Sequence, residues 1–243
     1  MLNRELPLVW AQAQVFSDRP EKIAGAEKPS ENVKMMPGLR TWAEAAGTEL
    51  LISSPYFIPG KEGVRFFDKL RGKGVRIRIV TNSFAGNDVA LVHSGYARYR
   101  KDLLKLGVEL YELKPKPSFA VTREKEKRFG SSGASLHAKT FIIDREKVFV
   151  GSLNLDPRSV NLNTEVGILV ESRELAETLA KLLDELVLLK YSYRLTLDSP
   201  DENIVWTSED NGVEIKDTQD PEVGLWRRFS TWFLSILAPE SLL

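Results

Sequence analysis

The stretch His137-Ala138-Lys139-Thr140-Phe141-Ile142-Ile143-Asp144-Arg145-Glu146-Lys147-Val148-Phe149-Val150-Gly151-Ser152-Leu153-Asn154 decides the reading of this chain. Thr140 to Ile143 and Val148 to Val150 are β-branched and aromatic runs separated by polar residues, which predicts a strand, a tight turn and a second strand. Successive side chains of a strand point to opposite faces, so the spacing puts His137 and Lys139 on one face and Ala138 and Thr140 on the other. The pattern is His-x-Lys-x(4)-Asp, followed by Gly-Ser-x-Asn.

These residue types suit a phosphodiester. A neutral imidazole can attack phosphorus or pass a proton to a leaving oxygen. Lys139 and an amide such as Asn154 can hold the equatorial oxygens, where charge must be stabilised. Taken singly the residues are ordinary: a strand-end histidine, a solvated lysine, an aspartate at a turn. Their fixed spacing carries the signal. Asp144, counted with His137 and Lys139 in the catalytic motif, is also the residue best suited to holding backbone amides at the turn.

The pattern resembles that of the phospholipase D superfamily. Further stretches resemble the second half of bacterial cardiolipin synthases of the C type: Ser53-Ser54-Pro55-Tyr56-Phe57-Ile58-Pro59, Val92-His93-Ser94-Gly95-Tyr96, Asn154-Leu155-Asp156-Pro157-Arg158-Ser159 and the final Pro239-Glu240-Ser241-Leu242-Leu243. The resemblance implies an active site of His137, Lys139, Asp144 and Glu165, with Glu165 orienting the imidazole, and with Ser152 and Asn154 contacting phosphate. It implies an α/β/α sandwich, a mixed sheet flanked by helices, as one half of a two-motif architecture. The first motif of that architecture has no match here. With only two histidines, His93 and His137, the chain needs a second motif from a homodimer mate or a missing N-terminal half. His93 is assigned a supporting or substrate-contacting role.

Composition agrees with a globular α/β chain: of 243 residues, 42% are hydrophobic and 28% charged, close to globular averages. There is no cysteine, which excludes disulfides and thiolate metal sites. The resemblance implies no metal and no other cofactor. The opening Met1 to Leu6 lacks the pattern of a signal peptide, and no run reaches the roughly 20 apolar residues of a spanning helix. The net charge of zero is unevenly spread: seven basic residues against two acids from Lys61 to Arg78, nine acids against one lysine from Asp198 to Glu222. The basic stretch reads as a solvated helix surface before it reads as an anion-binding face.

Along the chain, residues 1–40 read as linker-like, 41–195 as the phospholipase D-like domain, and 196–243 as an acidic hairpin with an amphipathic tail. Glu49 to Ser54, a helix over 62–71 and Val75 to Thr81 form a parallel βαβ unit. The periodicity predicts one helix from Asp88 to Leu106, a strand over 108–113, and a late helix with Leu175, Leu179, Leu182 and Leu186 on its buried stripe. Lys114 to Gly133 is either a loop over the active-site mouth or a solvated connection. Leu225, Phe229, Trp232, Phe233 and Ile236 form a stripe on a segment too short to span a bilayer, suited either to a membrane surface or to packing.

The expected function is phosphatidyl transfer between phospholipids by phosphohistidine and acid-base chemistry, at the cytoplasmic face of the inner membrane as a peripheral protein. A non-catalytic half-enzyme and a single-motif homodimeric phosphodiesterase or nuclease are the alternatives, and the lipid-like tail disfavours nucleic acid.

Overall fold

The computed structural model describes residues 8–23, 34–87, 89–115, 136–224, 226 and 228. In chain order its elements begin with β1 (Gln12–Ser17), a 3-10 turn (Pro20–Lys22), α1 (Met36–Glu44), β2 (Glu49–Ser53), α2 (Gly60–Gly72), β3 (Arg76–Asn82), α3 (Ala90–Ala97), α4 (Arg100–Lys105) and β4 (Glu109–Leu113). There follow β5 (Thr140–Ile143), β6 (Lys147–Gly151), α5 (Pro157–Asn161), β7 (Val166–Glu171), α6 (Arg173–Leu186), β8 (Ser192–Leu197), β9 (Ile204–Asp210) and β10 (Val213–Asp217).

The strands form one mixed sheet in the order β1-β7-β6-β5-β2-β3-β4-β8-β9-β10. Its centre is parallel, β2 with β3 and β3 with β4, and every other pairing is antiparallel. The central strands are apolar on both faces because both are covered. Leu50, Ile52, Ile77 and Ile79 pack into a large core with Phe67, Leu70 and Leu103 of the helices on one side. Leu51, Val80, Ile142 and Val148 meet Ala176, Ala180 and Leu183 of α6 on the other. This is the expected α/β/α arrangement with a mixed sheet.

Three local expectations change. The helix over Asp88 to Leu106 is broken into α3 and α4, and Asp88 itself lies outside the described residues. At the break, Arg100 turns into the interior, where it pairs with Glu112 and Asp220, each at 2.8 Å. Pairing a buried charge outweighs a few helical hydrogen bonds of about 1 kcal/mol each, since one left alone costs about 3–5 kcal/mol. On α6 the buried line is Ala176, Ala180 and Leu183, whereas Leu182 is exposed. Small residues let the helix sit close to the sheet, and Leu175, Leu179 and Leu186 pack along its flanks. Finally, residues 12–17, inside the stretch read as linker-like, form edge strand β1 against β7. The loop expected over Lys114 to Gly133 falls almost entirely outside the described residues, as does the tail stripe of Leu225, Phe229, Trp232, Phe233 and Ile236.

Candidate active site

The parallel strands β2, β3 and β4 all run toward one edge of the sheet, where open α/β folds carry their ligand sites. The antiparallel neighbours bring to this edge the residues before β5, after β6 and before β7. His137, Lys139, Ser152, Asn154 and Glu165 are therefore delivered to one rim by three chain segments, each at a strand end.

Lys139 is buried while His137 is exposed. The ammonium donates to the His137 carbonyl at 3.0 Å, keeping other donors for a ligand oxygen. Burial lowers the Lys139 pKa, and the nearby charges of Glu165 and Asp156 oppose that shift. Asp156, raised mainly by its own burial, caps α5 by accepting the Ser159 N–H at 2.8 Å. The Asn154 Oδ1 is buried with no hydrogen-bond partner. Such an acceptor is costly unless a ligand supplies a donor.

Glu165 is occupied differently from expectation. Its carboxylate accepts a short bond from the Ser152 hydroxyl and a long one, 3.4 Å, from Asn163. Among the described residues it makes no hydrogen bond to His137. Ser152 also accepts the Val166 N–H at 3.1 Å, so its hydroxyl serves Glu165 and the β7 backbone and has no proton left over for phosphate.

Asp144 and His93 lie outside the cluster. Asp144 stands at the opposite end of β5, about 16 Å along an extended chain from Lys139. It accepts the N–H groups of Gly47, Thr48 and Glu49 at 2.8–2.9 Å, and the Thr48 hydroxyl at 2.8 Å. These bonds hold its pKa below the usual carboxylate value against burial, the largest single influence, which raises it. The motif aspartate thus fastens the β5–β6 turn to the start of β2. His93 is 3% exposed, stacked on Phe84 at 4.5 Å and set against Arg100 at 2.7 Å and Asp220 at 3.3 Å. An imidazole so enclosed ties the chain after β10 to α3 and offers no surface to substrate.

Several residues that position the site carry no signal of their own in the sequence. Asn82, at the end of β3, bonds both the N–H and the C=O of Leu136, at 2.9 and 3.2 Å, and so fixes the chain that enters His137. Ser54 accepts the Leu155 N–H at 3.2 Å, and the Ile58 N–H donates to the Leu155 carbonyl at 2.6 Å, anchoring the turn that holds Asn154. Asp18 accepts the Glu165 N–H at 2.9 Å. Ser54 and Ile58 fall within the Ser53 to Pro59 stretch that carries the family resemblance, without a role read for either; nothing local marked Asn82 or Asp18. Among the described residues, no group of three or more histidines and carboxylates could hold a metal ion.

The family described as "Cardiolipin synthase, PLD-like domain" matches residues 39–187. The chain belongs to this family. It is 42% identical to Cardiolipin synthase C of Escherichia coli strain K12, an alignment that covers 100% of this chain and 50% of that protein. Cardiolipin synthase B of the same organism is 28% identical over 58% of the chain and 30% of its own length. The chain thus spans half or less of the length of these relatives. Among solved structures, Nuc of Salmonella typhimurium, a phospholipase D family member, aligns with a TM-score of 0.51 at 16% identity, covering 72% of this chain and 93% of that one. At that identity the likeness concerns the fold.

Proposed function

We propose that the chain carries one half of a phosphatidyl-transfer site that is completed by a second His-Lys-Asp motif, from a second copy of this chain or from a preceding half of the same polypeptide. The carrying observation is the convergence of Lys139 and the Ser152–Glu165 pair on one rim beside His137, with the Asn154 Oδ1 left to accept from a headgroup hydroxyl. Membership of the cardiolipin synthase family supports phospholipid over other diesters.

In this reading one imidazole attacks phosphorus while the other, protonated, gives its proton to the departing headgroup oxygen as the P–O bond breaks. A phosphatidyl-histidine remains. The second imidazole, now neutral, takes the proton of an acceptor lipid's hydroxyl, whose oxygen displaces the histidine; water gives hydrolysis instead. His137 is the acid and base when a first-half histidine is the nucleophile, and plays both parts in a homodimer. Lys139 holds a phosphoryl oxygen throughout. No metal enters any step.

A row of exposed apolar side chains adjoins the rim: Val15, Ile168 and Val150 are in register across β1, β7 and β6 on the α6 side of the sheet. We assign this row to contact with the second half. Trp226, 79% exposed, supports a peripheral place at a lipid surface, and no helix among the described residues is long and apolar enough to cross a membrane. The test is light scattering on a sizing column with phosphatidylglycerol turnover measured on the same fractions. His137-dependent turnover in a dimer peak is the expected result for two copies of one motif. An inactive monomer that gains turnover with a separately produced first half supports the other assembly, and turnover in neither overturns the proposal.

A further inference from the structure

A cavity of about 190 Å³ lies between α1, α2 and the sheet. Its walls include Leu39 and Ala43 of α1, Phe66 and Phe67 of α2, Phe141 of β5, and Leu155. The space is open to solvent on one side, a deep groove and not a sealed void, and most of its lining is apolar. Water that enters it finds few of the two to four polar partners that an ordered water needs, so an apolar occupant displaces it readily. Arg40 and Glu62 are the charged residues of the lining, and each already has a carboxylate or guanidinium neighbour, Glu44 at 3.1 Å and Arg65 at 3.7 Å.

We infer that this cavity takes one acyl chain of the phospholipid, an inference that rests on the phospholipid reading above. Two observations select that occupant. An apolar cavity of about 150 Å³ admits benzene, so this one has room for a run of roughly six methylenes, and its open side gives a chain a way in. It is tied to the candidate site by the chain: Leu155 of its wall follows Asn154, and the Ser54 and Ile58 bonds that hold Leu155 fix cavity wall and site loop together. An apolar side chain from a partner half is the competing occupant.

The test is photolabelling of the purified chain with phosphatidylglycerol that carries a diazirine in an acyl chain, with adducts mapped by mass spectrometry. Adducts are expected on α1 and α2, and Ala43→Phe, which fills the cavity, is expected to remove at least nine-tenths of them while melting like the parent. Should Ala43→Phe fail to fold, Val160→Phe fills the same space from α5. In parallel, dihexanoyl phosphatidylglycerol below its micellar concentration should bind at least tenfold more weakly to the filled variant, and the deacylated glycerophosphoglycerol equally to both. Adducts confined to other surfaces, or unchanged labelling in a folded filled variant, overturn the inference. Labelling requires no turnover, so a failure of the transfer chemistry leaves this result readable on its own.

Discussion

Asp18 and Glu165 are joined twice: the Asp18 N–H donates to the Glu165 carbonyl at 2.9 Å, and the Asp18 carboxylate accepts the Glu165 N–H at 2.9 Å. The same carboxylate accepts the Met35 N–H at 2.7 Å and pairs with Lys22 at 2.5 Å, and Lys22 donates to the Ser159 carbonyl at 2.9 Å. A buried ion pair 147 residues away in sequence thereby sets where the site's carboxylate stands. The pair also binds α5 and the start of α1 to β1.

Asp18→Asn leaves the Lys22 charge buried without its counter-ion. The expected loss is about 3 kcal/mol in urea unfolding. Replacing both charges, Asp18→Asn with Lys22→Met, should recover more than half of it, since the desolvation cost disappears with the pair. Equal losses in the single and double variants would show that backbone bonds alone matter here.

Asp144 gives a pH signature. Its pKa lies below the ordinary carboxylate value in the folded chain, so its contribution is fully present above about pH 4 and is lost as pH falls through the depressed value. Asp144→Asn should cost about 2 kcal/mol at pH 6, as expected for charge-assisted bonds to backbone amides, and the gap to the parent should narrow toward pH 3. Because the residue is far from Lys139 along β5, the variant's turnover, per folded molecule, should stay within about twofold of the parent. A turnover loss like that of His137→Ala would return Asp144 to the chemistry.

Gly151 and Gly167 face each other across β6 and β7. A Cβ on Gly167 would stand 2.2 Å from the Phe149 ring, and one on Gly151 would stand 2.6 Å from the Val166 carbonyl. Gly167→Ala is expected to cost about 1–3 kcal/mol by overpacking, and Phe149→Leu should relieve part of that loss in the double variant. Additive losses in thermal or urea unfolding would rule out the ring as the cause.

These glycines mark how far the sequence could be read. The Gly-Ser-x-Asn pattern was legible as a turn after a strand; that its glycine makes room for a ring two residues earlier was not. The βαβ unit and the β5–β6 hairpin were legible because periodicity and turn chemistry are local. The break between α3 and α4 was hidden because its cause, Arg100 facing Glu112 and Asp220, spans 12 and 120 residues. His93 reads in the sequence as either supporting or substrate-contacting, and what decides for support, the stacking of Phe84 that encloses it, comes from a separate strand end. Asp18 fell in a stretch that reads as a linker because an edge strand of six residues, exposed at most positions, has little hydrophobic pattern to show.

Lys139 offers the sharpest test of the proposed chemistry. Its pKa is lowered, chiefly by burial, so its charge is lost as pH rises through a value below the ordinary 10.5. A cation that holds a phosphoryl oxygen must be charged, and the alkaline limb of phosphatidylglycerol turnover by the assembled site should therefore lie below that value. Lys139→Ala should reduce turnover by roughly 10²–10³-fold, the usual loss for one transition-state donor. Lys139→Arg keeps a charge that does not titrate in this range; whatever turnover it retains should continue to higher pH. An alkaline limb that stays in place in Lys139→Arg would assign it to another group and remove Lys139 from the role of phosphate clamp.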